Sequence, residues 1–169
     1  MTGVVCLLAL LLAAPQGRPK AFPVESTFAK TRDFAAFHTY AWGIGHESYD
    51  RAVHKIIVDS IDSEMASLGF TRVESDAADV SIRYHSVLSL EVDLKAPENR
   101  GKQEPMNGPP LSRVGLLTVV MRDRGGQELW TAKTRGHMDA AASHDGIVRG
   151  AVSRIFETYP GRKSRSPKP

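Results

Sequence analysis

The sequence has almost no cysteine and no long apolar run. Its one cysteine among 169 residues is Cys6, which leaves no partner for a disulfide and no cluster of thiolates for a metal. The longest apolar segment, Val4 to Ala14, has 11 residues, about half of the roughly 20 that a membrane-spanning helix needs. The hydrophobic fraction of 41% and the charged fraction of 24% are those of a globular domain.

The short apolar segment lies where a secretory signal would lie. Ala13 and Ala14 supply the small residues of a cleavage site, and the prolines at 15 and 19 break any helix behind them. We expect a signal-like leader over residues 1–21 and a periplasmic or envelope-associated mature chain without a transmembrane span. Because Cys6 precedes the end of the apolar run, a lipid anchor is not expected. The alternative is that the run forms a buried N-terminal helix.

Positive charge is concentrated at the C-terminus. The formal net charge is +3, and residues 161–169 (GRKSRSPKP) hold four of the 22 cations and no acid. The remaining 18 cations against 19 acids give residues 1–160 a net charge of −1. A segment rich in Pro, Ser and Lys/Arg cannot bury a core, so we expect a basic disordered tail. Contact of this tail with an anionic surface remains an alternative to a merely solvated terminus.

Hydrophobic periodicity predicts two amphipathic helices and about four strands. Apolar residues recur at three- and four-residue spacing in both helices, whereas residues 80–92 alternate between apolar and polar. Asp123-Arg124-Gly125-Gly126 is a typical hairpin turn, and residues 96–112, with four prolines and two glycines, predict a long loop. The predicted strands are 39–42, 80–92, 114–122 and 127–137, and the predicted helices are 50–68 and 147–156.

These elements predict a single α+β domain over residues 28–160. Its mainly antiparallel sheet of about four strands would carry both helices on one face, in the order strand-helix-strand-strand-strand-helix. Trp130 and Ala132 share strand parity with Leu117, Val119 and Met121, so we expect their face of the sheet to be the core. Asp50 or Ser48 is expected to cap the first helix and Gly69 to end it.

Several short segments carry a family resemblance through their order and spacing. They are Asp33-Phe34, Phe37–Trp42 (FHTYAW), Leu68–Phe70 (LGF), Ala78–His85 (ADVSIRYH), Val114–Asp123 (VGLLTVVMRD), Glu128–Trp130 (ELW) and Ile155–Pro160 (IFETYP). Together they resemble the domain of unknown function 4136 family. The resemblance covers about residues 28–160 and implies an exported bacterial envelope protein, typically a lipoprotein, without an established activity. The chain departs from the family at the missing lipoprotein cysteine and at Val114 and Leu117, where a Glu-Gly-Thr-Leu pattern is usual.

Motifs for catalysis are missing from the sequence. The six histidines are scattered without a His-Glu-x-x-His pair, and no Gly-x-Ser-x-Gly elbow is present for a nucleophilic serine. Gly43-Ile44-Gly45 lacks the third glycine of a dinucleotide loop and predicts a plain turn. We therefore predict no catalytic residue, no metal ligand and no cofactor. The rival hypothesis is a small envelope hydrolase or metal-dependent enzyme whose site is assembled only by folding.

The polar face of the sheet is the remaining candidate for function. If their strands are neighbours, five cationic or titratable residues would form one mixed surface that could bind an anionic envelope polymer or an envelope protein. Nucleic acid is not an expected partner, because the aromatic residues lie on the opposite parity from these cations. The sequence therefore predicts a non-catalytic binding or structural module. The candidate binding residues are Arg83, His85, Lys133, Arg135 and His137.

Overall fold

The computed structural model describes most of the predicted domain. The predicted leader, residues 96–110 of the predicted loop, the residue Ser143 before the second helix and the tail after Arg162 lie outside the described residues. Among those that are described, no helix is long and apolar enough to cross a bilayer. The described residues are 22–45, 48, 50–74, 77–92, 111–138 and 144–162.

Six strands and two α-helices form the described part of the fold. The strands lie in one sheet in the order β1-β6-β5-β4-β2-β3. β2 is parallel to both β3 and β4, whereas every other neighbouring pair is antiparallel. In chain order the elements are β1 (Val24–Phe28), a 3-10 turn (Phe34–Ala36), β2 (Thr39–Trp42), α1 (Arg51–Ser67), β3 (Thr71–Arg72), β4 (Val80–Val92), β5 (Leu111–Asp123), β6 (Glu128–His137) and α2 (His144–Phe156).

The prediction of a four-stranded, mainly antiparallel sheet is wrong, although the α+β class is correct. The sheet has six strands and is mixed. β1 has no alternating apolar pattern, because four of its five residues are exposed, and the sequence therefore does not indicate this strand. β3 has only two residues, both exposed. It lies parallel to β2 because α1 carries the chain back along the sheet between them, as parallel pairing requires.

The first helix has the boundaries that its sequence predicts. The Asp50 carboxylate accepts hydrogen bonds from the backbone N–H groups of Ala52 (2.8 Å) and Val53 (3.3 Å), and so satisfies donors that the helix leaves free. Gly69 follows the helix with a φ of 89°, a left-handed conformation that glycine adopts at little cost. The predicted cap and stop are therefore confirmed.

The β5–β6 hairpin is also confirmed, and its turn explains the second of its two glycines. The backbone N–H of Gly126 donates to the carbonyl of Asp123 at 2.9 Å, and the N–H of Asp123 donates to the carbonyl of Gln127 at 2.9 Å. Gly126 has a φ of 78°, so a side chain at this position would strain the turn. The Asp123 carboxylate closes the turn by accepting from the N–H of Gln127 at 2.9 Å.

Both helices pack on one face of the sheet, and this inner face is the one predicted from the hairpin. Trp130, Ala132, Val119 and Met121 are fully buried there. Helical residues facing them include Ile57, Ile61, Met65, Val148, Val152 and Ile155, and all belong to the same core. Burying these side chains contributes roughly 1.5–3 kcal/mol for each large apolar residue.

The helices do not cover the whole inner face. Val80, Ile82 and Tyr84 in the first half of β4 are buried as predicted. In its second half, Leu88 and Leu90 share their parity but are 62% and 65% exposed. The prediction of one buried face along all of β4 is therefore correct for the first half and wrong for the second, where the long β4–β5 hairpin extends beyond both helices.

Candidate functional site

An apolar groove lies where the helices stop covering the sheet. It has a volume of about 450 Å³, within the range of small-molecule sites. The first turns of α1 and α2 form two sides, and the inner face of the β4–β5–β6 sheet forms the base. Side chains that line the groove include Phe22, Val53, Ile57, Leu88, Leu117, Met138, Ile147, Val148 and Ala151.

Two glycines leave room for side chains that close on the base of the groove. Gly115 on β5 and Gly136 on β6 are direct partners in the sheet, and Met138 lies against Gly115. The Phe22 ring fills the space above Gly136, where an added Cβ would lie 2.0 Å from the ring. Phe22 therefore forms a side wall, and a larger residue at position 136 would displace it.

Two of the polar side chains around the groove are engaged in the fold. Asp50 caps α1, and the Thr134 hydroxyl donates a hydrogen bond to the carbonyl of Pro23 at 2.7 Å. Arg113 on β5 is exposed and lines the groove. Among the described residues, its side chain forms no hydrogen bond or ion pair. The groove thus combines an apolar base with one cation that is available to a ligand.

The five residues predicted as a binding surface lie on two strands that are not adjacent. Arg83 and His85 are on β4, and the other three are on β6, with β5 between them. His85 and Lys133 nevertheless share one row across Thr118. The condition that the strands be neighbours is therefore not met, although the residues do face the same side of the sheet.

Carboxylates already compensate two of these cations. Lys133 Nζ lies 3.0 Å from a carboxylate oxygen of Glu25 on β1, and the Arg135 guanidinium donates to both carboxylate oxygens of Glu91 on β4. Hydrogen bonds from Arg135 hold the pKa of Glu91 below its usual range. Binding of an anionic partner to this outer face stays a prediction, but the face is not a patch of free cations.

The other three members have separate surroundings. The Ser112 hydroxyl is 3.2 Å from His137 Nδ1, and His85 has a partner of its own. Arg83 borders a second cavity with Trp42, His54 and Tyr84, and its Nε is buried without a hydrogen-bond partner among the described residues. The sequence did not indicate this cavity, because its lining comes from β2, β4 and α1.

Hydrogen-bonded side chains line the second cavity, and none of the described residues that line it is an acid. His54 Nδ1 is 2.6 Å from the Tyr84 hydroxyl. The nearby Asp62 carboxylate accepts from the Tyr40 hydroxyl (2.7 Å), Trp42 Nε1 (3.0 Å) and an Arg72 guanidinium nitrogen (3.1 Å). Asp62 therefore joins α1 to β2 and β3. Within the described segments, no three metal-ligating side chains lie together.

Sequence reasoning missed the groove. Its residues belong to both helices, three strands and the segment before β1, so no local motif contains them. Two sequence features could have indicated the groove: the apolar residues in the second half of β4 and the two glycines. The contribution of Gly115 and Gly136 becomes clear only once the strand register places them opposite each other.

Solved structures with a similar fold differ widely in sequence. A PDZ domain protein from Parabacteroides distasonis aligns with a TM-score of 0.56 at 17% identity, over 84% of this chain and 36% of that chain. This chain thus spans about a third of that protein. PelC from Paraburkholderia phytofirmans, solved as a dodecamer, aligns with a TM-score of 0.52 at 9% identity, over 80% of this chain and 95% of that one. These likenesses show the fold alone.

No curated protein sequence matches the chain significantly. A family model does match, and it covers the described domain from the first residue of β1 to just beyond α2: the domain of unknown function DUF4136, at residues 24–161. This match confirms the resemblance carried by the segments from FHTYAW to IFETYP. The chain belongs to the DUF4136 family.

Proposed function

We propose that the protein is an exported, non-catalytic binding module of the cell envelope. Its ligand is an amphipathic molecule with a single acyl-like chain and an anionic group, seated in the groove between α1, α2 and the sheet. The observation that carries the proposal is an apolar groove of about 450 Å³ with Arg113 at its side, a cation whose side chain has no partner among the described residues. Support for export comes from the apolar run at Val4 to Ala14.

The two parts of such a ligand match two parts of the groove. An apolar chain gains roughly 25 cal/mol for each Å² removed from water, and the groove offers Leu117 at its base and Ile147 and Val148 on its α2 side for that contact. A carboxylate or phosphate would bind the planar guanidinium of Arg113 with charge-assisted hydrogen bonds. Because Asp50 and Thr134 are engaged in the fold, Arg113 determines which end of the ligand lies at the groove mouth.

The outer face is the weaker candidate for the same anion. At Lys133 and Arg135 an anionic ligand would have to displace Glu25 and Glu91, respectively. An anionic envelope polymer or an envelope protein on that face is therefore the alternative that the experiment must separate from the groove.

Binding of a dansyl-labelled fatty acid, followed by fluorescence and by competition with dodecanoate, tests the proposal. Arg113→Gln should weaken dodecanoate binding about tenfold or more, the effect of losing one charged hydrogen-bonded contact. Competition by dodecanol, which has no charge, should be unaffected by Arg113→Gln.

Lys133→Gln is the matched control, since it removes an exposed cation from the opposite face of the same sheet. It should leave dodecanoate binding unchanged. Equal weakening by the two variants, or a loss in Lys133→Gln alone, would transfer the anion site to the outer face. Absence of any fatty-acid binding by the wild-type protein would refute the groove as the seat of an acyl ligand.

A further inference from the structure

Within the described part of the chain, one edge of β4 has no partner strand over its second half. β5 pairs with all of β4, but β2 pairs only with residues 80–82 on the other side. The loop at Gly43 to Gly45 then passes close to Tyr84. From Ser86 to Val92, which we call the distal edge, no described strand pairs with that side. Its backbone N–H and C=O groups offer a template for another strand.

The distal edge also lacks the features that usually block strand addition. It contains no Lys and no Pro, the residues that natural sheets place on exposed edges. Val87, Leu88, Leu90 and Val92 are all exposed. The one charged residue, Glu91, is already paired with Arg135 of its own sheet. An exposed, apolar edge of this kind is typical of an interface rather than of a solvated surface.

We propose that the distal edge pairs with the distal edge of a second copy of this chain, antiparallel and with its two-fold axis at Ser89. In this register Leu88 of each copy lies opposite Leu90 of the other, and Val87 lies opposite Glu91. The whole segment from Ser86 to Val92 is then paired. A shift by one residue would place apolar residues opposite polar ones on the wrong face, so the sequence favours this symmetric register.

Charge supports a second copy as the occupant. The two Glu91 carboxylates in the pair are four residues apart along the strands, about 14 Å at about 3.4 Å per residue. This separation exceeds the screening length of about 8 Å at physiological ionic strength, and each carboxylate keeps its own Arg135. No like charges face each other, and the leucines of both copies form one apolar patch on the inner face.

The pairing would join the two six-stranded sheets into one continuous sheet. It is isologous, because the same strand is used by both copies. Since strand addition buries less than the roughly 800 Å² per partner of a standard interface, we expect a concentration-dependent dimer. This proposal does not depend on the groove being occupied.

Sedimentation velocity of the full chain over a wide range of concentrations tests the dimer. The wild-type protein should shift from monomer to dimer as concentration rises, and Leu90→Lys should remain monomeric, because two added ammonium groups would face the apolar patch. Leu111→Lys is the matched control. Leu111 is an exposed leucine on the adjacent strand. Its replacement therefore tests whether general apolar attraction, rather than pairing of the distal edges, holds the dimer together.

A crosslink tests the register. In a Cys6→Ser background, Ser89→Cys should form an intermolecular disulfide, because Ser89 lies opposite its own copy at the axis. Ser112→Cys, on the same face but one strand away, should not. A wild-type protein that stays monomeric throughout, a dimer that survives Leu90→Lys, or a dimer that Ser89→Cys fails to crosslink would each overturn the proposal.

Discussion

Asp79 holds together the start of β4 and the segment before β2. Its carboxylate accepts hydrogen bonds from the backbone N–H groups of His38 and Thr39, both at 3.0 Å, and Arg124 lies 3.3 Å away. These hydrogen bonds, led by the one from His38, hold the pKa of Asp79 below its usual range. The carboxylate thus stabilises the folded state only while it is ionised.

The free energy of unfolding measured at acidic pH should reveal this contribution of Asp79. Because the folded-state pKa of Asp79 is depressed, its contribution is fully present above the unfolded-state pKa of about 3.9 and is lost as pH falls through the folded value. In urea melts at a series of acidic pH values, Asp79→Asn should lose less unfolding free energy on acidification than the wild-type protein.

Asp59→Asn is the control for Asp79→Asn. Asp59 is exposed on α1 and pairs with Lys55 four residues away, a type of pair that contributes little. Its acid profile should follow the wild type. An acid profile for Asp79→Asn that also follows the wild type would contradict the role assigned to Asp79.

The β5–β6 hairpin offers a direct comparison of the two faces of the sheet. Trp130 is fully buried on the inner face, whereas Lys133 is exposed on the outer face. In urea melts, Trp130→Ala should lower the free energy of unfolding by about 3–5 kcal/mol, the usual range for truncating a buried aromatic residue. Lys133→Ala should stay within about 0.5 kcal/mol of the wild type. Similar losses in both would mean that the assigned faces are wrong.

The elements that the sequence predicts are those that bury a regular pattern of side chains. β4, β5, β6, α1 and α2 each contribute such a pattern to the core. β1 and β3 contribute no such pattern to the core. Backbone pairing with β6 and β2, respectively, holds these two strands in place. The information that places them lies in the partner strands rather than in their own residues.

The candidate surfaces show the same division. Strand parity correctly placed Lys133 and Arg135 on the outer face. Glu25, which pairs with Lys133, belongs to a strand that was not predicted. The parity of Glu91 places it on the same face of β4 as Arg83 and His85. Its contact with Arg135, however, depends on the order of the strands and on how far both side chains reach across β5. The groove also depends on where α1 and α2 begin relative to the sheet. The spacing of apolar residues in the sequence does not specify that position.

At the scale of the whole chain, we expect removal of the leader before the domain functions. The first described residue, Phe22, packs against Gly136, and β1 begins at Val24. Cleavage between Ala14 and Ala21 would therefore leave every described element in the mature chain. The intact mass of protein from a bacterial periplasm should correspond to a chain that begins between Pro15 and Phe22. Recovery of a cytoplasmic chain that begins at Met1 would contradict export.

The position of β1 also determines how the domain would respond to tension. β1 lies at one edge of the sheet and pairs with β6 alone, and most of its side chains are exposed. A force applied to the chain before Phe22 would therefore act first on the backbone hydrogen bonds between β1 and β6. These bonds would yield before the packed helices do, because local opening begins where little apolar surface is buried. β1 would then separate from the sheet first, which would lengthen the chain under tension while the core stays folded.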